Sequence, residues 1–165
     1  MARFLRAIRF DVSDTHVFPR AAEPDEWAIP GGFLYMPRPG FDAGALAKKE
    51  RQAFVSGFFG LPSFGFSTLV SVGEASEQDI ETCVLNLTRF LVEHFGAPSR
   101  DAAEGLARDE IGYARALADD TPLNTLLAVK REIDAEGAVR EQFHIVNPPG
   151  DKPHAFVWDV VEDQE

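Results

Sequence analysis

The sequence predicts an α+β fold: an antiparallel or mixed sheet with about three helices packed on one face. Three observations carry that reading. The chain opens and closes on short apolar, β-rich stretches separated by Gly and Pro turns. Between them run capped stretches whose apolar residues recur at three- and four-residue steps, the mark of amphipathic helices. The order strands, helices, strands is unlike the regular alternation that builds a parallel sheet. At 165 residues, one domain spanning 1–165 is the expected organisation.

Taken in order, residues 3–10 lack helix caps and are rich in Phe and Ile, so a first strand is expected there. Thr15–Phe18 reads as a second strand, stopped by Pro19. Trp27–Ile29 and Phe33–Met36 flank Pro30-Gly31-Gly32, a turn that would join two short strands. With Asp42 as N-cap, a helix is expected over about 43–56, turning Leu46, Ala47, Ala53 and Phe54 inward. A Gly- and Phe-rich irregular stretch, 57–65, then leads to a strand at Phe66–Val72.

The best-specified helix starts after Ser76, with Asp79 placed for a capping box and Gly96 and Pro98 for the stop. Its inner face would carry Ile80, Cys83, Val84, Leu87, Phe90, Leu91 and Phe95. Ser99 caps a further helix over about 100–118, with an Ala-rich stripe that includes Leu106, Tyr113 and Leu117. A hairpin follows, Thr125–Ile133 and Ala138–Val146, turned at Asp134–Gly137 with Gly137 at positive φ. Alternation puts Leu127, Val129 and Ile133 on one face, opposite Val139, Phe143 and Ile145. Asn147–Gly150 forms a turn, and Ala155–Val161 is expected as the last strand.

Charge narrows the partners. Residues 1–60 hold 8 Lys+Arg against 7 Asp+Glu, whereas residues 61–165 hold 8 against 20, for a net of −11. Such a field repels phosphates and anionic lipid, so neither nucleic acid nor membrane is expected as a partner. The longest apolar runs, Leu126–Val129 and Ala155–Trp158, fall far short of a membrane span. Arg3, Arg6 and Arg9 have no apolar core behind them, unlike a secretory signal, and Cys83 is the single cysteine. A cytoplasmic location is expected.

Motifs for chemistry fail one by one. The histidines at 16, 94, 144 and 154 share no metal-ligand spacing, so no metal is expected. Adjacent acids such as Asp109-Glu110 diverge on a helix and are poorly placed to share a proton. Ser63 lacks the preceding glycine and the following helix of a nucleophile elbow. Neither Gly31-Gly32 nor the glycines at 57, 60 and 65 introduce a helix that would cradle phosphate, and no cofactor is expected.

One segment stands out: Phe54, Phe58, Phe59, Phe64 and Phe66 fall within thirteen residues among three glycines and a proline. Either these rings fill the core, or they offer an apolar surface to a partner or ligand, with Phe58, Phe59, Phe64 and Trp27 as the binding candidates. The stretches Glu26–Phe33, Arg51–Gly60 and Ser63–Thr68 resemble a family of short uncharacterised bacterial proteins, of the domain-of-unknown-function kind. That resemblance implies no activity, ligand or catalytic residue. The expected function is a non-catalytic cytoplasmic accessory or protein-interaction module, acting as a homodimer or with a protein partner. The alternative is a small-molecule-binding protein or enzyme with its pocket between the sheet and loop 54–66. Arg6, Arg51, Ser63, Ser67 and His154 are the polar candidates there.

Overall fold

The structure, a computed structural model, describes residues 2–9, 12–35 and 46–146. Among the described residues seven strands form one antiparallel sheet: β1 (Ala2–Ile8), β2 (Trp27–Ile29), β3 (Phe58–Leu61), β4 (Phe66–Ser67), β5 (Leu69–Ala75), β6 (Leu126–Ile133) and β7 (Val139–Val146). Their order is β4-β3-β2-β1-β5-β6-β7. The described helices are α1 (Ser13–Val17), α2 (Lys48–Ser56), α3 (Glu77–His94) and α4 (Arg100–Asp119), with a 3-10 turn at Gly32–Tyr35. The α+β class therefore holds, with an antiparallel sheet. No described helix is long and apolar enough to cross a membrane.

β1 is central and pairs with β5 along its whole length, from Ala2↔Ala75 to Ile8↔Leu69. Successive strand residues point to opposite faces, yet Phe4 and Leu5 are both buried, as are Phe58 and Phe59. Both sides of the sheet are covered over β1 and β3. α4 lies along β1 and pairs with α3, α2 lies along β6, and the 3-10 turn meets β7. Glu81 binds Arg108 and Glu77 binds Arg115 across the two long helices, which fixes them as antiparallel neighbours. These pairs are exposed and set geometry more than stability.

α3 forms as its sequence specifies. Ser76 Oγ accepts from Asp79 N at 3.0 Å, and the Asp79 carboxylate accepts from Ser76 N at 2.9 Å. Ile80, Cys83, Val84, Leu87 and Leu91 are buried, Phe90 and Phe95 pack partly buried beside them, and Gly96 takes φ +73° to end the helix. Ser99 caps α4 by accepting from Ala102 N at 3.0 Å. The buried row of α4 is Ala103, Ala107, Ile111, Ala114 and Ala118. Tyr113, expected inside, is 46% exposed, because Glu110, Tyr113 and Leu117 form the next row around the helix. The β6–β7 hairpin also matches expectation: Leu127↔Ile145, Val129↔Phe143 and Ile133↔Val139 pair, and Gly137 sits at φ +85°. Ile133, beside the hairpin turn, is exposed.

Other expectations are corrected. Thr15–Phe18 is not a strand: residues 13–17 form α1. A tertiary anchor overrides the β-branched composition, since the buried Asp14 carboxylate accepts from Thr68 Oγ1 (2.7 Å) and Thr68 N (3.3 Å). Phe33–Tyr35 belongs to the 3-10 turn, closed by Leu34 N donating to Gly31 O (3.1 Å), and Met36 lies outside the described residues. α2 starts at Lys48 with Ala47 as N-cap, and Asp42 lies outside the described residues. Ala53 and Phe54 of α2 are buried as expected, but Ala47 is exposed. The strand expected at Phe66–Val72 breaks at Thr68 into β4 and β5.

The Gly/Phe stretch is not irregular throughout, because Phe58–Leu61 is β3. Past it, a Cβ on Gly65 would collide with the backbone carbonyl of Ala21, so only glycine allows the close approach there. The turn at Asn147–Gly150 and the strand expected at Ala155–Val161 lie outside the described residues.

Candidate functional site

The site grows from one buried charge. Arg131 stands on β6 in the row that includes Leu127 and Val129, directly opposite Glu141 on β7. Its side chain has no solvent exposure. A buried guanidinium must find acceptors for its N–H groups. Nε donates to Glu141 Oε2 at 2.7 Å, and Nη1 to the carbonyls of Phe54 (2.9 Å), Gly57 (3.0 Å) and Ala53 (3.3 Å). Nη2 donates to Pro30 O, and the guanidinium carbon lies 5.7 Å from the Tyr35 ring centre. The carbonyls of Ala53 and Phe54 belong to the last turn of α2, where the dipole favours a cation, and Ala53 O also accepts from Gly57 N at 2.9 Å. Arg131 thus ties α2, the Pro30 turn, β6 and β7 together.

Glu141 carries that order to the surface. Its second oxygen, Oε1, accepts from Tyr113 Oη at 3.1 Å. Its Oε2 reaches over the 3-10 turn, where a Cβ on Gly32 would lie only 2.6 Å away. Beside this pair opens a cleft of about 270 Å³ between α4, β7 and the turn, lined by Gly32, Phe33, Glu110, Tyr113, Val139 and Glu141. Glu110 and Tyr113 are three residues apart on α4 and share a face, and so do Val139 and Glu141 on β7.

Glu110 is half-buried and has no hydrogen-bond or ion-pair partner among the described residues. Burial, then the negative charges of Glu141 and Asp109, push its carboxyl up to about 7. A group with that value exchanges its proton at neutral pH, which is what acid–base work or proton-linked binding requires. Tyr113 is raised above its ordinary value by burial and by the Glu141 charge, and so remains a donor to Glu141.

The sequence candidates lie elsewhere. Phe58 (0% exposed) and Phe59 (2%) are core. Phe59 meets Phe90, Phe66, Phe64 and Phe33 with ring centres 5.1–6.1 Å apart, and Phe58 stacks on Phe143 at 6.2 Å. Phe64 and Trp27 are half-buried; Trp27 lies edge-on to Phe4 and beneath the Arg6 guanidinium at 4.9 Å. Ser63 is held by Glu26 through both its hydroxyl and its N–H (3.1 Å), Ser67 is buried, and Arg51 is exposed. His154 and Trp158 lie outside the described residues. None of the described candidates lines the Glu110 cleft. Cys83 is buried, and burial followed by the charges of Asp79 and Glu26 pushes its thiol up to about 12, an inert value.

Glu110, Tyr113, Arg131 and Glu141 were not singled out by motif. A signal existed in the alternation: Arg131 and Glu141 are the charged members of two otherwise apolar, mutually opposed rows. Among the described residues no three His, Cys, Asp or Glu side chains gather to hold a metal.

Comparison with known proteins adds the family. No curated protein and no solved structure matches the chain. A family model described as a family of unknown function, DUF6505, matches residues 1–163. The chain belongs to the DUF6505 family.

Proposed function

We propose that this protein is a cytoplasmic small-molecule-binding protein whose ligand occupies the cleft between α4, β7 and the 3-10 turn. The observation that carries the reading is Glu110, a half-buried carboxylate facing the cleft with no protein partner among the described residues. Around it, Tyr113 and Glu141 are held in fixed positions by the buried Arg131. Convergent polar groups over an apolar wall, anchored from behind, are the usual make-up of a ligand site. A thermal-shift screen of polar metabolites tests it, since a ligand that binds only the folded protein raises its unfolding temperature. Hits should lose their effect in Glu110→Gln and Tyr113→Phe. Hits that stabilise both variants as well as wild type would refute the assignment.

A second reading, an interaction module that forms a homodimer, draws on Leu85 (45% exposed) and Val92 (42%), seven residues apart on α3. Light scattering after size exclusion tests it. A dimer that Leu85→Lys dissociates supports the reading, and a strict monomer removes it.

A further inference from the structure

We infer that the ligand of this cleft is a small organic cation, an ammonium or amidinium head on a short apolar body, with Glu110 as its counter-ion. The inference rests on the small-molecule reading of the same cleft and names its ligand class.

The polar groups of the cleft select the sign of charge. Glu141 already accepts at both oxygens, Oε2 from Arg131 and Oε1 from Tyr113. Tyr113 has committed its single hydroxyl hydrogen there, which leaves its oxygen as an acceptor. Arg131 is enclosed, with donors directed to Glu141 and to four backbone carbonyls. Among the described residues, no side chain lining the cleft therefore has a positive charge to offer, and ionised Glu110 has a negative one to be matched. An anion would face two carboxylates. Beside a neutral ligand, Glu110 either holds its proton or leaves a half-buried charge uncompensated, which is costly away from water. A cation resolves it.

The walls select the body. Phe33, Tyr113 and Val139 line the same space, and aromatic surfaces attract cations as well as apolar groups. A bare metal ion fits poorly, because hard divalent cations want about six or more oxygen ligands and among the described residues one carboxylate here is free of a partner. The volume, about 270 Å³, lies just below the usual range for a ligand site, which limits the ligand to a small one. The long-range field agrees in sign: Glu110 and Glu141 lie in the part of the chain, residues 61–165, that holds 20 acids against 8 bases.

Binding of a cation must be linked to the Glu110 proton. The charges that act on Glu110 are Glu141 from β7 and its chain neighbour Asp109; Tyr113 shares its face of α4, Arg131 of β6 lies behind Glu141, and the Gly32 and Phe33 wall contributes no titratable side chain. Burial and then the neighbouring charges favour the protonated form, and an arriving cation reverses that preference. With a carboxyl raised to about 7, affinity should be about tenfold weaker near pH 6 than near pH 8.

The experiment uses three probes of similar shape, benzylammonium, benzyl alcohol and benzoate, titrated into the full-length protein in the millimolar range and followed by amide NMR shifts. Benzylammonium should move the signals of Gly32, Phe33, Glu110, Tyr113 and Glu141, and the other two should not. Folded Glu110→Gln, checked by circular dichroism, should bind it about tenfold or more weakly, with Glu110→Asp retaining part of the affinity. If benzyl alcohol or benzoate binds the cleft as well as benzylammonium does, the ligand class is wrong while the cleft remains a small-molecule site. If no probe moves the cleft signals, both readings fall. Tight benzylammonium binding that survives Glu110→Gln would overturn the counter-ion role.

Discussion

Arg131→Met removes the guanidinium and keeps a flexible apolar side chain of similar length at a buried position. It leaves Glu141, whose side chain is 16% exposed, without its closest cation. It also strips the carbonyls of Pro30, Phe54 and Gly57 of a donor. Breaking a buried pair by removing one partner typically costs about 3–5 kcal/mol. For a chain of this size each kcal/mol corresponds to roughly 2–4 °C, so a fall of about 10 °C or more in Tm is expected. Urea denaturation of Arg131→Met, Glu141→Gln and the double variant forms the cycle. The double variant should be less destabilised than the sum of the singles, because the second change removes the charge orphaned by the first. A loss under about 1 kcal/mol for Arg131→Met, or strict additivity, would refute the view that this arginine organises the site.

Glu110 makes stability depend on pH. Its folded value is raised from 4.5 to about 7, so its contribution to folding is fully present below 4.5 and is lost as pH rises through 7. Glu110→Gln should therefore unfold later than wild type at about pH 8, by roughly 1 kcal/mol once solvent screening is allowed for, and lose that advantage at about pH 4. Phe59→Ala should cost about 3–5 kcal/mol in chemical denaturation, as expected for a ring buried among four others, and a loss near zero would place the residue at the surface. Cys83 should react with a thiol reagent only as fast as the protein unfolds, and immediate labelling of the native chain would contradict its burial. Ser76→Ala should cost about 1 kcal/mol by uncapping α3, measured as a shift in the urea midpoint.

What could be read from the sequence was local. α3 and α4 follow from Ser76, Asp79, Gly96 and Ser99, because caps and helical periodicity act within a few residues. The β6–β7 hairpin follows from alternation and from Gly137, whose positive φ also serves a local turn. Where a short segment's conformation depended on distant groups, local propensity failed. Residues 13–17 became helical around the Asp14–Thr68 contact, and Phe33–Tyr35 curled into a 3-10 turn after Gly31 at φ +82°.

The tertiary structure alone decided the cleft. Glu110 and Tyr113 come from α4, Arg131 from β6, Glu141 from β7 and Gly32 from the turn after β2. Each is an ordinary residue in its own element, and their chemistry exists only once burial and register bring them together. Arg131 shows why: in sequence it is a charged residue on a strand, and only the sheet register and the end of α2 make it an enclosed anchor. The strength of a charge depends on its surroundings in space, which no local pattern records.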